Sequence, residues 1–378
     1  MVRWAARPGQ VSRAPRVVLL LGIAGIAAAI AFGVAARKPK RPASAAGLLS
    51  AVPRDAWLVV HADVAALRAS PVAQPVLAAL GAAALTNDAG EATSARGLGP
   101  LSSSACGFDA AARVREVVVA AAEEGDAGEG RGFGVAFSAD VSKDELVACA
   151  TKTISARGKS PRTSTRGEFL LIDDGDDPTR GRLAYRDGGP YLVGAGPWLD
   201  AMIDAFVAGG LPPEEHRAVS DELLRKASAE GPAPAIVATA LLSRALRDRL
   251  AREAEPNLPP GASPNETDPR RAAALGVLGV DRVGLALSLP GPGSTATARV
   301  ELHCDAPGPC AAVKDLIEKK RLAWSRDFAA RLLGLGPLLD ALSVEIDGPA
   351  LWVSTRAPSD ELGRSVRRVL DLQGLSRH

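Results

Sequence analysis

The hydrophobic pattern divides the chain in two. Residues 17–36, VVLLLGIAGIAAAIAFGVAA, contain no charged side chain. As a helix, twenty residues span about 30 Å, the thickness of a bilayer's hydrocarbon core. The apolar core of a cleaved secretory signal is shorter, about 7–15 residues. The nearest A-x-A site, Ala43-Ser44-Ala45, lies beyond the basic, proline-broken run Arg37-Lys38-Pro39-Lys40-Arg41-Pro42, and no cysteine stands near for lipoprotein processing. The expectation is a retained signal-anchor, one transmembrane helix over 17–36. Arg3, Arg7, Arg13 and Arg16 precede it and Arg37, Lys38, Lys40 and Arg41 follow it, so the positive-inside comparison is nearly balanced. A leading segment of sixteen residues is too short for a domain. The expected topology is therefore a short cytoplasmic tail (1–16), a single pass through the inner, cytoplasmic membrane, and a C-terminal body in the periplasm or outside.

After a basic, Pro/Ala-rich linker (37–51) the pattern changes to short apolar runs, turn residues and amphipathic segments. Two stretches echo each other. "DAWLVVHADVAALRAS" (55–70) is an apolar run, then Asp63 as an N-cap, then a short helix; "APAIVATALLSRALRDRL" (233–250) repeats the plan. "CGFDAAARVREVVVAA" (106–121) faces "LGVDRVGLALSL" (278–289), and "GFGVAFSADVSKDELVACATKT" (132–153) faces "ATARVELHCDAPGPCAAVKDLIEKK" (296–320). Ser142-Lys143-Asp144-Glu145 reads as a capping box. "YRDGGPYLVGAGPWLDAMIDAFV" (185–207) matches "EIDGPALWVSTRAPSDELGRSVRRVL" (345–370), each with a D-G turn between apolar runs, a strong hairpin signal. Leu342, Val344 and Ile346 alternate with Ser343, Glu345 and Asp347, the period of a strand with one wet face.

The offsets between echoes fall from 178 (Val59/Val237) through 172 (Asp109/Asp281) and 165 (Val135/Val300) to 160 (Val193/Val353), as insertions in the first copy would produce. The expected organisation is a first α+β repeat over 52–210, a connecting helix over 211–232 and a second α+β repeat over 233–378. Each repeat is expected to hold mostly antiparallel strands with helices packed on one face of the sheet. The two sheets either pack together or continue into one. Residues 254–272, rich in Pro, Asn and Gly, read as an exposed loop.

"VPRDAWLVVHADVAALRASP" (52–71) resembles the opening of uncharacterised, membrane-anchored bacterial proteins of unknown function, with V-P-x-D, an apolar strand, Asp, then a Leu-Arg-x-Ser-Pro helix. The resemblance covers about twenty residues together with the plan of an anchor and a repeated α+β body. It implies architecture and brings no catalytic residues.

Charge and composition narrow the chemistry. Eight of the 45 basic residues lie in 1–41, which holds no acid; the remainder carries 37 basic and 43 acidic side chains, a net charge of −6. Such a body has no basic field for nucleic acid, and aromatics at 4% supply few stacking platforms. Gly158-Lys159-Ser160 ends like a phosphate-binding loop, but Thr153 stands where the first glycine belongs and Pro161 follows. Gly130, Gly132 and Gly134 lie between two predicted strands and read as a flexible hairpin, not a dinucleotide fingerprint. "DDGDD" (173–177) lacks the ligand spacing of a calcium loop and reads as a solvated turn. The four histidines, His61, His216, His303 and His378, form no metal or protease motif, and G-x-S-x-G and S-x-x-K are absent. No catalytic residue, cofactor or metal site is expected.

Four cysteines allow three pairings. The favoured one is Cys106–Cys149 with Cys304–Cys310, against buried free thiols as the alternative. Gly25, Ala29 and Gly33 recur every four residues of the anchor and would let two such helices approach closely, a possible homodimer contact. The function expected is a membrane-anchored, extracytoplasmic, non-catalytic module for interaction or scaffolding, its protein partner unknown. The alternative is an anchored, hydrolase-like enzyme whose site is assembled from distant residues.

Overall fold

The computed structural model describes residues 45–79, 106–108, 111–123, 132–156, 158–175, 181–254, 276–328, 331 and 334–372. The anchor segment 17–36, its flanks, Gly25, Ala29 and Gly33, Asp109, Gly130, most of the 254–272 loop and His378 lie outside them. The chain is α+β. Among the described residues twelve strands form one sheet in which every pair is antiparallel. The first part of the chain gives α1 (Ala45–Leu49), β1 (Ala56–Asp63), α2 (Val64–Ala69), β2 (Val114–Ala122), β3 (Phe133–Ala139) and α3 (Lys143–Ala156). It continues with β4 (Arg162–Arg166), β5 (Phe169–Asp173), β6 (Gly181–Tyr185), β7 (Tyr191–Ala195) and α4 (Gly196–Val207). A long helix, α5 (Glu214–Glu230), leads to β8 (Ile236–Leu241), α6 (Arg244–Ala254), β9 (Val280–Ser288), β10 (Thr295–Cys304) and α7 (Pro307–Ser325). Last come α8 (Gly336–Asp340), β11 (Ser343–Asp347), β12 (Ala350–Pro358) and α9 (Ser359–Leu372).

The strand order is β11-β12-β10-β9-β8-β1-β2-β3-β7-β6-β5-β4. The middle of the sheet is the β8–β1 pair, with Val60 opposite Ala238. Outward on one side run β1, β2, β3, β7, β6; on the other run β8, β9, β10, β12, β11, in the same connectivity. The β4–β5 hairpin extends the first side alone.

Helices cover both faces, not one as the sequence led us to expect. On the face that bears Val59, Val118 and Val237, here the front, α1 and α4 pack over the first side through Leu48, Trp198, Leu199, Met202 and Ile203. There α5 packs over the second side through Val219 and Leu223. On the back, α2 contributes Leu67, α3 contributes Leu146, and α7 contributes Cys310 and Val313. The reason lies in strands such as β8, IVATAL, in which five successive residues are buried. A strand apolar on both sides must be covered on both sides.

Local signals set the turns. Asp63 Oδ1 accepts the Ala66 N–H at 2.9 Å and starts α2. Ser142 and Glu145 bond reciprocally ahead of α3: the Ser142 N–H reaches Glu145 Oε2 at 3.0 Å and the Glu145 N–H reaches Ser142 Oγ at 3.3 Å. Gly188 and Gly348, the glycines of the two D-G turns, take φ of 65° and 59°. Disulfides join Cys106 to Cys149 and Cys304 to Cys310, with Cα separations of 4.3 and 5.8 Å. His216, from α5, locks the midline: its Nε2 lies 2.9 Å from the Ala56 carbonyl on β1 and its Nδ1 2.7 Å from Thr239 Oγ1 on β8. The carbonyl only accepts, so Nε2 carries the proton and Nδ1 accepts from the hydroxyl. Burial pushes this imidazole below its ordinary pKa.

Gly134 lies within β3 and Gly132 just before it, so these glycines are not the flexible turn that the sequence suggested. They form the seat of α4. A Cβ on Gly134 would overlap Met202 Sδ and come within 2.9 Å of the Trp198 ring; one on Gly132 would meet that ring at 3.1 Å. Gly134→Ala should therefore cost about 1–3 kcal/mol through overpacking. Gly181→Ala, with nothing within 4 Å of the new methyl, should cost less than about 1 kcal/mol. Urea denaturation of the two variants checks the difference; equal midpoints would remove α4 from that seat.

Candidate functional site

The two sides of the sheet treat the same positions differently. From Val59 the cross-strand row runs Ala120, Gly134, Gly194. From Val237 the corresponding row runs Ala286, Arg299, Ser354. The next row out pairs Ala122 with the Gly132 backbone on the first side and Ser288 with Thr297 on the second. Where the first side is bare and seats a helix, the second carries Arg299, Ser354, Ser288 and Thr297. Among the described residues no helix lies on them.

The helix that would occupy this place is on the back. On the first side α4 begins at Gly196, three residues after Val193; on the second, α9 begins at Ser359, six residues after the corresponding Val353. Strand side chains alternate faces, so an odd difference delivers the chain to the opposite side. Accordingly α9 lies with Gly363 against the backbone of Pro71 and Ser365 Oγ donating to the Gly334 carbonyl at 3.2 Å. Among the described residues the front of the second side is open as a cleft of about 720 Å³ lined by Pro232, Pro290, Thr295, Thr297, Arg356 and Pro358. It continues past Thr297 and Arg356 into a recess of about 200 Å³ with Ser288, Arg299, Ser343 and Ser354. Its floor is hydroxyls and two guanidinium groups, and its wall is the end of α5 at Ala227.

A buttress of charges sits beside the floor. Lys226 of α5 lies 3.8 Å over the Trp352 ring, 3.1 Å from Asp347 and 3.8 Å from Glu222. Glu301, two residues along β10 from Arg299, is 6% exposed. Burial, reinforced by Glu222, pushes its carboxyl pKa up to about 7, against the pull of Lys226 and Arg282.

The residues singled out in the sequence do not meet here. Gly158 and Lys159 close α3 as a C-terminal cap: the Gly158 N–H bonds to the Ser155 carbonyl at 2.9 Å, the Lys159 N–H to the Ile154 carbonyl at 3.2 Å, and Gly158 takes φ 72°. This is a helix end, where a phosphate loop needs a helix start. Asp173 Oδ1 accepts the Gly175 N–H at 2.9 Å in a turn. Among the described residues no group of three His, Cys, Asp or Glu side chains could hold a metal.

Each described histidine has its own local role. His303 Nδ1 donates to Asp281 Oδ1 at 2.7 Å, leaving Nε2 to accept from Arg282 Nη2 at 2.9 Å. His61 Nε2 stands 3.8 Å from Glu116 Oε2, and burial pushes this imidazole below its ordinary pKa against the pull of Glu116 and Asp63. Glu116 pairs directly with Ser138, which is buried. Ser138 on β3 and His61 on β1 flank β2, so their strands are about 10 Å apart. The carboxylate is in the middle, and the imidazole does not reach the hydroxyl as a nucleophile–base relay requires. The sequence reading missed the floor because Arg299, Arg356 and four hydroxyls are ordinary strand residues. The signal available was that strand positions holding glycine on the first side of the sheet hold side chains on the second.

Glu301 gives a pH test. Its folded pKa is raised, so its contribution to stability is fully present below about 4.5, the ordinary carboxyl value, and is lost as pH rises through about 7. Glu301→Gln should match the wild type in urea at pH 4 and exceed it at pH 8.5 by about 1–2 kcal/mol. A variant with the same pH profile as the wild type would mean that the carboxyl stays solvated.

No protein-family model matches the chain. No curated protein matches it either. A solved structure described as crystal form I of TP0453 aligns with 88% of this chain and 99% of its own, at 10% identity and a TM-score of 0.42.

Proposed function

We propose that this protein is a membrane-anchored, extracytoplasmic, non-catalytic interaction module, built from two copies of one α+β unit, that holds its partner on the open front of the second copy. The duplication is supported by register. Val135 pairs with Val193 as Val300 pairs with Val353, which keeps the offsets of 165 and 160 read from the sequence echoes. Val60 and Ala238, opposite each other at the midline, are 178 apart, the offset of the first echo. The strand pairing aligns Val119 with Leu285, an offset of 166, in place of the 172 expected from Asp109 and Asp281.

The observation that carries the interaction reading is the open floor. A second copy that kept the fold but replaced the helix-seating glycines by Arg299, Thr297 and Ser354 presents a shaped polar surface. Arginines and hydroxyls suit carboxylate and backbone carbonyl groups of a protein partner. The anchor over 17–36 and its self-association through Gly25, Ala29 and Gly33 complete the proposal. Among the described residues no helix is long and apolar enough to cross a membrane.

Two experiments test this reading. Alkaline phosphatase fused after His378 should be active, and the mature chain should keep its N-terminus; an inactive fusion sinks the topology, and a chain starting at Ala46 sinks the anchor. A photo-crosslinking residue at Thr297 should give in cells one discrete adduct that Arg356→Glu weakens by about tenfold, equivalent to about 1.4 kcal/mol. Adducts equally frequent from Lys152, on α3 of the opposite face, would discard the cleft as the binding surface.

A further inference from the structure

We propose that the end of α7 is a membrane-contact tip that enters the headgroup layer of an anionic phospholipid bilayer. The first part of α7 is fixed: Cys310 is bonded to Cys304, and Val313 and Ile317 pack against the sheet. Beyond Ile317 no residue of α7 is buried. Lys319, Lys320, Leu322, Ala323, Trp324, Arg326, Asp327 and Phe328 are all exposed, with Leu322 at 51%, Trp324 at 49% and Phe328 at 80%. Single exposed apolar residues are normal on protein surfaces; three large ones within seven residues form a patch.

The charge around the patch says what it meets. Lys319, Lys320, Arg321, Arg326 and Arg331 surround it, and Asp327 is the one acid in 319–331, a net of +4. The body that carries this tip, residues 42–378, has a net charge of −6. An anionic surface therefore attracts the tip and repels the rest, which orients the body. A nucleic acid strand would run on along the acidic body, whereas a flat bilayer meets only what protrudes. Tryptophan and phenylalanine set among lysines and arginines match the interface between headgroups and acyl chains.

The backbone is prepared for a medium of low polarity. A helix end leaves carbonyl groups without partners, and these are costly where water is scarce. Here Ser325 Oγ donates to the Leu322 carbonyl at 3.1 Å, the Asp327 N–H to the Trp324 carbonyl at 3.0 Å, and Arg331 Nε to the Ser325 carbonyl at 2.6 Å. Leu322 and Trp324 are two residues apart, hence about 200° apart around the helix. The tip thus enters end-on, not as a helix lying flat.

The test uses the full chain reconstituted with phosphatidylcholine bilayers, with or without about one-third phosphatidylglycerol, in a Trp4→Phe background. The Trp324 signal is the difference from the same protein carrying Trp324→Phe. It should shift to the blue and be quenched at least about twofold by brominated anionic lipid, and less by brominated phosphatidylcholine alone. Lys319→Glu with Lys320→Glu and Arg321→Glu should remove the quenching while circular dichroism stays unchanged. Quenching equal with brominated and plain lipid would overturn the proposal. So would a blue shift that grows with protein concentration in detergent, which would make the tip a protein contact. The result is independent of the anchor: a failed topology fusion leaves the Trp324 measurement intact, and the reverse holds too.

Discussion

Everything in this structure is arranged around the antiparallel pairing of β1 with β8. Five residues of each strand face each other, from Leu58–Ala240 to Ala62–Ile236, and beyond them the Asp63 N–H reaches the Ala235 carbonyl at 2.8 Å. Without this pair there would be two sheets, each with an apolar central strand exposed as an edge, the form most prone to wrong pairing. With it, the apolar strands are central and the edges are polar. The β4 edge reads RTSTR, and its Arg166 is held by Asp200 and Asp204 of α4 at 2.5 and 2.8 Å. The β11 edge carries Ser343, Glu345 and Asp347. His216 bridges the same two central strands from above, so α5 stiffens the seam that it crosses.

Once the seam is fixed, the fate of each front face depends on side-chain volume. On the first side, Gly134 and Gly194 let α4 approach until Met202 and Leu199 touch the strands themselves. On the second side the same row carries Arg299 and Ser354, and a helix at that distance would collide with them. The longer run of β12 resolves the conflict by carrying α9 to the back, where Gly363 makes the close approach, to Pro71. At these close approaches the position under the helix is a glycine. The same reasoning holds at Gly284, whose missing Cβ leaves room for Leu223 and Val219 of α5.

Much of the local structure was legible in the sequence because it is written by neighbouring residues. Asp63 and the Ser142–Glu145 box announce helices through bonds across three residues. The D-G turns announce hairpins through the conformational freedom of one glycine. The α+β class followed from these. The rest was not legible because it depends on pairs distant in sequence. That two sheets join into one is decided by β1 meeting β8, about 180 residues later. That helices occupy both faces is decided by which strands become central. Gly132 and Gly134 looked like turn residues because the ring and sulfur they accommodate belong to Trp198 and Met202. The floor of the cleft was hidden for the same reason: an arginine in a strand looks solvent-facing whether or not a helix covers it.

The charges of the body gain meaning only from where the fold places them. A net of −6 over residues 42–378 would keep the body away from anionic surfaces in every orientation if it were evenly spread. It is not evenly spread. The end of α7 and the residues after it, 319–331, carry five cations and one acid, beside exposed Leu322, Trp324 and Phe328. The floor of the cleft places Arg299 and Arg356 among hydroxyls. Near that floor Glu301 is pushed toward its neutral form by burial and by Glu222, so at neutral pH it offsets the guanidinium groups less than a solvated carboxylate would. Two cationic surfaces on an acidic body therefore differ in kind. The tip is exposed and carries large apolar side chains among cations, a composition suited to an anionic bilayer surface. The cleft is concave and lined by hydroxyls, suited to groups of fixed geometry that accept directed hydrogen bonds. The two also lie on different faces: α7 packs on the back of the sheet and the cleft opens on the front.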